Sequence, residues 1–391
     1  MARLVVRADP LAGDDAAVSR PAAALGLVDE LLERRLAAAE RYFEAEADAI
    51  ARLCREMAGR FAGGGRLVAL AGSPVASSDA RHVAVEFVHP VIVGKRALPA
   101  LALEPSAVGL NVDAADIVMG FEPSPGLEAA RERGCLVVAP HVELGDPFVE
   151  QEIVETLYHV LWELVHVFLD RRPDARAPDP GASAFLYPFL SGQRADDEEA
   201  VIADVRASVL MKAREVGDLR RQTIDEGRPA LVAAAAATRA ALEAGATVLA
   251  LGNGGSATDA MDAVADLRHP PAGWPARRAL DLTGDPAILT AIANDIGTEA
   301  VFSRQVIAYG RPGDVLLCFT TSGNSGNVIA ALAEGRRRGL RSIAFVGYDG
   351  GQIAADGLAD DVVVSRSQHI PRIQEAQATA WHVLRTLIEE P

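Results

Sequence analysis

Leu249-Ala250-Leu251-Gly252-Asn253-Gly254-Gly255-Ser256 reads as a buried strand, a glycine turn and the start of a helix. Glycine admits positive φ and lets backbone N–H groups close on an anion. The helix N-terminus adds partial positive charge. Taken alone, the motif reads equally well as a tight turn without a ligand. A second stretch, Phe319-Thr320-Thr321-Ser322-Gly323-Asn324-Ser325-Gly326-Asn327, also follows an apolar strand and opens a helix. A capping turn needs one hydroxyl, whereas Thr320, Thr321, Ser322 and Ser325 offer four. Two such loops predict an α/β fold with an anion site at the ends of its strands.

Outward from these loops the pattern is regular. Strands are expected at 247–251, 278–282, 314–320, 341–346 and 361–364. Helices are expected at 197–226, 229–244, after Ser256, and at 371–389. The same alternation runs upstream, with strands at 66–70, 98–103, 116–121 and 135–139. Helices there are read from the apolar spacing at 28–61, 127–133 and 148–169. Alternating strands and helices imply parallel sheets covered on both faces. Residues 171–184, with three prolines and a glycine, form the clearest linker. The apolar segment 185–190 after it is expected to dock on a domain. The expected organisation is a flexible arm at 1–26, a first domain at 27–170, a linker at 171–196 and a second domain at 197–391.

The two domains are copies. Ser78-Asp79-Ala80-Arg81-His82-Val83-Ala84-Val85-Glu86, running on to His89-Pro90, matches Thr258-Asp259-Ala260-Met261-Asp262-Ala263-Val264-Ala265-Asp266, running on to His269-Pro270. Gln151-Glu152 followed by Tyr158-His159 matches Gln374-Glu375 followed by Trp381-His382. The first copy keeps His82 and Glu86 where the second has Asp262 and Asp266. At the place of the serine loop the first copy reads Gly120-Phe121-Glu122-Pro123-Ser124-Pro125-Gly126. Glu122 would repel phosphate and the prolines remove backbone donors, so the first copy is expected to have lost anion binding there.

His82 and Glu86 share a helix face at i and i+4. Gln151 and His159 lie about two turns apart on another helix. Facing helices could gather these four around one divalent ion, and imidazole with carboxylate suits zinc. The ordinary alternative is a helix ion pair beside a satisfied interior histidine. Repetition of both elements in the second half weighs against it. Asp is shorter than Glu and cannot stand in for imidazole, so a second site of the same kind is not expected at Asp262 and Asp266. His166 reads as packing, and His141 as a loop residue.

Composition narrows the function. The chain of 391 residues suits two cores. A formal net charge of −16 argues against a nucleic-acid partner. Cys54, Cys135 and Cys318 form no metal or disulfide pattern, which suits a reducing cytoplasm. The N-terminus lacks the apolar core of a signal peptide. Arg239 and Glu243 break the alanine-rich run at 230–250, so no membrane span is expected.

Further motifs join the two loops: Ala293-Asn294-Asp295, Phe302-Ser303-Arg304, Tyr348-Asp349-Gly350-Gly351 and Arg372-Ile373-Gln374-Glu375. Together they resemble the SIS (sugar isomerase) domain, in the branch of the phosphoheptose isomerases and the related DnaA initiator-associating proteins. The resemblance is strong over 200–391 and weak over 27–170. It implies a flavodoxin-like five-stranded parallel sheet in each domain and an assembly of four such domains, here reached by a homodimer. It implies a phosphorylated sugar held by Asn253, Gly254, Ser256, Asn294, Asp295, Thr320, Thr321, Ser322, Ser325 and Gln374. The family's metal and acid–base positions fall on Asp262, Asp266, Gln374 and His382 in the second half. In the first half they fall on His82, Glu86, Gln151 and His159, which are the family's own residue types. Pro371 replaces the family's Asp, and the first half lacks the Asn-Asp segment and the serine loop.

These departures suggest a composite site. Phosphate would be held by the second half, and zinc, about one ion per chain, by His82, Glu86, Gln151 and His159. No nucleotide cofactor is expected. The implied reaction is aldose–ketose isomerisation through an enediol, with sedoheptulose 7-phosphate as the favoured substrate. Glu86 would remove the carbon proton, His159 or His382 would handle the oxygen proton, and Asp266 is a further acid–base candidate. The alternative is a non-catalytic sugar-phosphate-binding regulator or assembly factor.

Overall fold

Short apolar runs become the strands of two parallel sheets. A computed structural model describes residues 15–91, 95–140, 142–170 and 198–390, without the side chains of 15–24 and 198. Residues 1–14, His141, and the linker with its 185–190 segment lie outside the described residues. The first half runs α1 (Asp15–Ala62), β1 (Leu67–Leu70), α2 (Pro74–Val88), β2 (Ala100–Leu103), α3 (Val108–Asn111), β3 (Ile117–Gly120), α4 (Pro125–Glu132), β4 (Leu136–Val138) and α5 (Pro147–Asp170). The second half begins with α6 (Glu198–Glu243), β5 (Val248–Leu251), α7 (Gly255–Arg268), β6 (Ala279–Asp281) and α8 (Pro286–Asp295). It continues through α9 (Ser303–Tyr309), β7 (Val315–Thr320), α10 (Gly326–Arg338), β8 (Arg341–Gly347), α11 (Gly351–Ala355), β9 (Asp361–Ser365) and α12 (Ile370–Glu389).

The sheet orders are β2-β1-β3-β4 and β6-β5-β7-β8-β9, and every pairing is parallel. Both orders reverse beside the first strand of the half, which opens a crevice at the strand ends. The expected five strands are present only in the second half; the first sheet has four among the described residues. The cause is local. Residues 139–146 lead from β4 straight into α5, whereas the second half spends 348–369 on α11 and β9 before its last helix.

Two helices depart from the sequence reading. α1 begins at Asp15, inside the stretch expected as an arm. The break expected before Pro229 is absent, and α6 runs through it as one helix. Proline removes one intrahelical hydrogen bond, but α6 is held along its length by two cores. Val201, Ile202, Val205 and Val209 join the first-half core, while Ile224, Leu231, Ala234 and Leu242 join the second. α1 bridges in the same way, with Val28, Leu31 and Leu32 in the second-half core and Phe43 to Phe61 in the first. Against this scaffold α2 packs on α7, and α5 on α12. These four helices carry the repeated polar residues.

Candidate active site at the seam between the halves

Ser73 caps α2: its Oγ accepts from Ala76 N at 3.2 Å, and Pro74 opens the helix. The helix then aims His82 and Glu86 into the seam, both buried. His82 Nδ1 pairs with the Tyr158 hydroxyl at 3.0 Å. His82 Nε2 faces His159 Nε2 at 3.3 Å and the Gln374 amide at 3.2 Å. On its far side His159 Nδ1 pairs with Glu375 Oε1 at 2.9 Å, and Arg372 donates to that carboxylate at 2.5 and 2.6 Å. Glu86 Oε1 stands 3.9 Å from His82 Nε2, and Glu86 Oε2 makes no hydrogen bond.

A second cluster repeats this plan with the halves exchanged. His382 Nδ1 pairs with Glu152 Oε1 at 2.8 Å, and Arg35 donates to that carboxylate at 2.9 Å. His382 Nε2 lies 3.5 Å from Asp266 Oδ2 and 3.7 Å from Asp262 Oδ2. Trp381 Nε1 donates to Asp266 at 2.8 Å, and Ser78 Oγ donates to Asp262 at 2.9 Å. His159 and His382 are therefore each steadied by a glutamate of the other half, Glu375 and Glu152. A narrow chamber between the clusters is lined by His82, Tyr158, Gln151, Glu155, Asp259 and Asp262, among others.

Burial dominates the electrostatics. It pushes Glu86 up to about 7; neighbouring His159 opposes that rise, and Glu163 and Glu375 add to it. Burial holds His82 well below the usual imidazole range, with His159 adding to the effect. The lowered His82 imidazole makes the His82–Glu86 contact something other than an ion pair. Glu155 is raised well above the carboxylate range by burial and by Asp259, Glu375 and Asp79. His382 goes the other way: burial would lower it, but Asp262, Asp266 and Glu152 outweigh burial and keep it charged.

The glycine loop reaches this seam. Gly255 opens α7 so close to the first cluster that an added Cβ would lie 2.0 Å from Gln374 Nε2 and 2.9 Å from His82 Nε2. Gly254 takes φ 58° and ψ −127°, a turn that an L side chain resists. The two loops are laced by Asn253 and Asn327, which exchange amide hydrogen bonds of 3.0 and 2.9 Å. In the serine loop Thr320 Oγ1 and Ser325 Oγ lie 3.4 Å apart, and Ser322 Oγ accepts from Asn324 N at 3.1 Å. Gln377 Nε2 donates to the Thr320 carbonyl at 3.3 Å, tying the loop to α12. Thr321 is half-buried on the same loop, and Ser256 is buried in the first turn of α7. In the first half, Glu122 Oε1 accepts from Gly72 N at 2.6 Å and Ser73 N at 2.9 Å. That half's own carboxylate occupies its backbone donors.

The SIS domain family matches residues 213–347. The phosphoheptose isomerase of Chlorobium phaeobacteroides is 42% identical over 199 residues, covering 50% of this chain and 85% of that relative. That of Roseiflexus sp. is 39% identical over 199 residues, covering 49% of this chain and 94% of that relative. The chain belongs to the phosphoheptose isomerase branch of the SIS-domain family. These relatives match its C-terminal half. For the whole chain, the C-terminal domain of glucosamine-fructose-6-phosphate aminotransferase from Francisella tularensis superposes with a TM-score of 0.58 at 9% identity, covering 93% of this chain and 95% of that one. Tagatose-6-phosphate ketose/aldose isomerase from Escherichia coli gives 0.51 at 13% identity, covering 93% and 91%. At such identities the likeness concerns the fold, that of two SIS halves in one chain.

Within this tandem SIS protein the expected metal quartet is regrouped. His82 and His159 come together with Glu155, whose carboxylate shares a cluster of ligand atoms with both within 4.8 Å, while Glu86 stands 3.9 Å from His82 alone; the amide beside His82 belongs to Gln374, not Gln151. Gln151 instead donates to Asp79 Oδ1 at 3.2 Å. The reason is the helix rise: eight residues at 1.5 Å separate Gln151 from His159 by ~12 Å along α5, too far to share one ion. His382 and Asp266 lie in the other cluster. Asn294 and Asp295 are exposed at the end of α8, bonded to one another at 2.7 Å. His166 is satisfied by the carbonyls of Trp162 and Arg96 at 2.9 and 3.2 Å, as packing requires. Sequence reasoning missed Glu152, Glu375, Tyr158 and Glu155. The first three stand inside the quoted repeats. Glu155 has Ala378 at the matching position, so the duplication gave no signal for it.

Proposed function

We propose that the protein is a sugar-phosphate aldose–ketose isomerase acting on sedoheptulose 7-phosphate, with a site shared by its two halves. The observation that carries this reading is Gly255, which sets the anion loop of the second half directly against His82 of the first. The activity of the phosphoheptose isomerases, 42% identical in the best-covered half, supports the substrate class. Phosphate lies against Ser256, Thr320, Thr321, Ser322 and Ser325, where hydroxyls and backbone N–H groups compensate it without lysine or arginine. Asn253 and Gly254 shape that cradle. Asn294 and Asp295 act on the substrate only if α8 moves toward the loops.

The donors suit a zinc ion. Two imidazole nitrogens on one tetrahedral ion stand ~3.3 Å apart when each bond is about 2.0–2.1 Å, and His82 Nε2 and His159 Nε2 lie 3.3 Å apart. Both histidines are oriented through Nδ1, as ligating imidazoles are. Glu86 Oε2 and Gln374 Oε1 are buried without hydrogen bonds, and half a turn of the Gln374 amide brings its oxygen to His82. His82, Glu86, His159 and Gln374 would hold the ion, which would supply a Lewis acid for the substrate carbonyl. Glu86, buried on α2 beside His82 with one oxygen free of hydrogen bonds, takes the proton from the carbon beside the carbonyl and returns it to the neighbouring carbon. His159 and His382 were the sequence candidates for the oxygen proton. With His159 Nε2 turned to the ion and His382 in the other cluster, Glu155 takes that role. Both of its oxygens lack hydrogen bonds, and it lines the chamber with His82. Two chains build a four-domain assembly, and three free cysteines fit a cytoplasmic setting.

A coupled assay with sedoheptulose 7-phosphate tests the reading. Turnover by the wild type that is lost in Glu86→Gln, with sugar-phosphate binding retained, supports it. Binding without turnover in the wild type would replace it with the non-catalytic regulator.

A further inference from the structure

The first-half sheet opens its own crevice at the strand ends, and the chemistry of the seam leaves it unused. It holds about 620 Å³ between α2, the β3–α4 loop and the connection from β4 to α5. Sites for small organic molecules span about 300–1,000 Å³. Val75, Phe121, Leu127, Val142 and Val154 give it apolar lining. Its charged lining is Asp79, Glu122, Glu128 and Glu150 against Arg131, and Arg131 pairs with Glu128.

The crevice is built against anions. The backbone donors of its bordering loops are taken by the chain's own carboxylates. Glu122 Oε1 accepts from Gly72 N at 2.6 Å and Ser73 N at 2.9 Å. Glu150 Oε1 accepts from Leu144 N at 2.6 Å and Gly145 N at 2.8 Å. Pro123 and Pro125 offer no N–H. Burial would raise Glu122, but the hydrogen bonds from Ser73 and Gly72 outweigh it and hold the carboxyl below its usual range. Burial and Asp262 push Asp79 the other way, well above that range. Glu122 and Glu150 therefore set the charge. Two further lining residues carry buried polar atoms without hydrogen bonds, Ser124 Oγ and Gln151 Oε1. Orphaned polar atoms are costly, and a ligand with hydroxyl and amine hydrogens satisfies both. The volume and the apolar lining fit an organic ion, not a bare metal ion.

We propose that this crevice binds a small hydroxylated organic cation, of the amino-sugar class, as a ligand separate from the phosphorylated sugar of the second half. Its ammonium group lies against the carboxylates, its hydroxyls reach Ser124 Oγ and Gln151 Oε1, and its carbon skeleton covers the apolar lining. The duplicated crevices thus take ligands of opposite charge. Gln151 also lines the seam chamber, where it bonds Asp79 at 3.2 Å, so an occupant of the crevice touches the wall of the seam. The proposal does not rest on the isomerase reading.

The test is calorimetric titration of the full-length chain with glucosamine, kept protonated at mildly acidic pH, and with glucose as the uncharged control. One glucosamine per chain is expected, with glucose weaker by about tenfold or more, as loss of a charge-assisted contact implies. Glu122→Gln keeps an acceptor for the two backbone donors and removes the charge; it should weaken glucosamine by about tenfold. Ala139 is exposed and lines the crevice, so Ala139→Lys, which places a cation there, should abolish binding. Excess inorganic phosphate should leave glucosamine bound. No binding by the wild type, equal affinity for glucose, or displacement by phosphate would overturn the proposal. Should Glu122→Gln fail to fold, Ala139→Lys still decides, because binding that survives it puts the amine elsewhere. Failure of the isomerase reading would instead show as glucosamine binding without turnover of sedoheptulose 7-phosphate.

Discussion

The two halves of this chain share a fold plan but divide the chemistry. The second half has the open glycine loop, four hydroxyls and a fifth strand. The first has the shorter sheet and the two-histidine cluster, and Glu122 fills its backbone anion donors. At matching points Gly255 faces His82, whereas the first half has Val75, an exposed side chain that allows no such approach. A duplicated fold can thus lose complementary parts and keep one working site, provided the lost parts face each other across one seam.

Four experiments would break or sharpen this contrast, in order of effect. Glu86→Gln should lower turnover by about 10²–10⁴-fold, the usual worth of a positioned acid–base group, with KM nearly unchanged. Its second-half counterpart, Asp266→Asn, should cost far less, and equal losses would end the idea of divided labour. Gly255→Val makes the second loop like the first. It should lower kcat/KM by about 100-fold through misplacement of His82 and Gln374 and cost about 1–3 kcal/mol of stability from overpacking; assay and thermal melts read both. Ser322→Ala/Ser325→Ala should raise KM by about 10–100-fold, since each hydrogen bond to a charged group contributes about 1.5–3 kcal/mol and water replaces part of it. Ser124→Ala in the first half should leave KM unchanged, and an effect there would mean that the first half still binds phosphate. Glu122→Ala should lower stability by about 1–3 kcal/mol, because it strips the acceptor from two backbone donors, while turnover stays within about twofold. Denaturant melts measure it, and an unchanged midpoint would remove Glu122 from its role as internal anion.

Much of this was legible beforehand. The strands of the second half fall within a residue or two of their apolar runs, because parallel strands buried on both faces need unbroken apolar sequence. The glycine and hydroxyl loops were legible because their chemistry is local. The five-strand expectation failed in the first half because the duplication carried the analogy past the short 139–146 connection. The break at Pro229 failed because tertiary packing holds α6 together where local propensity would end it. Glu155 could not be read, since nothing repeats it and its meaning depends on what lies opposite.

By itself the sequence determined the duplication, the doubly wound parallel sheets, and which half holds the anion loops and which the His82–Glu86 pair. All of these rest on local periodicity and on comparison of one stretch with another. Only the tertiary structure decided that Gln374 replaces Gln151 beside His82, that His159 leans on Glu375 and His382 on Glu152, and that α1 and α6 each serve two cores. Those are contacts between residues hundreds of positions apart. They follow from how α2, α5, α7 and α12 pack across the seam, which no spacing along the chain encodes.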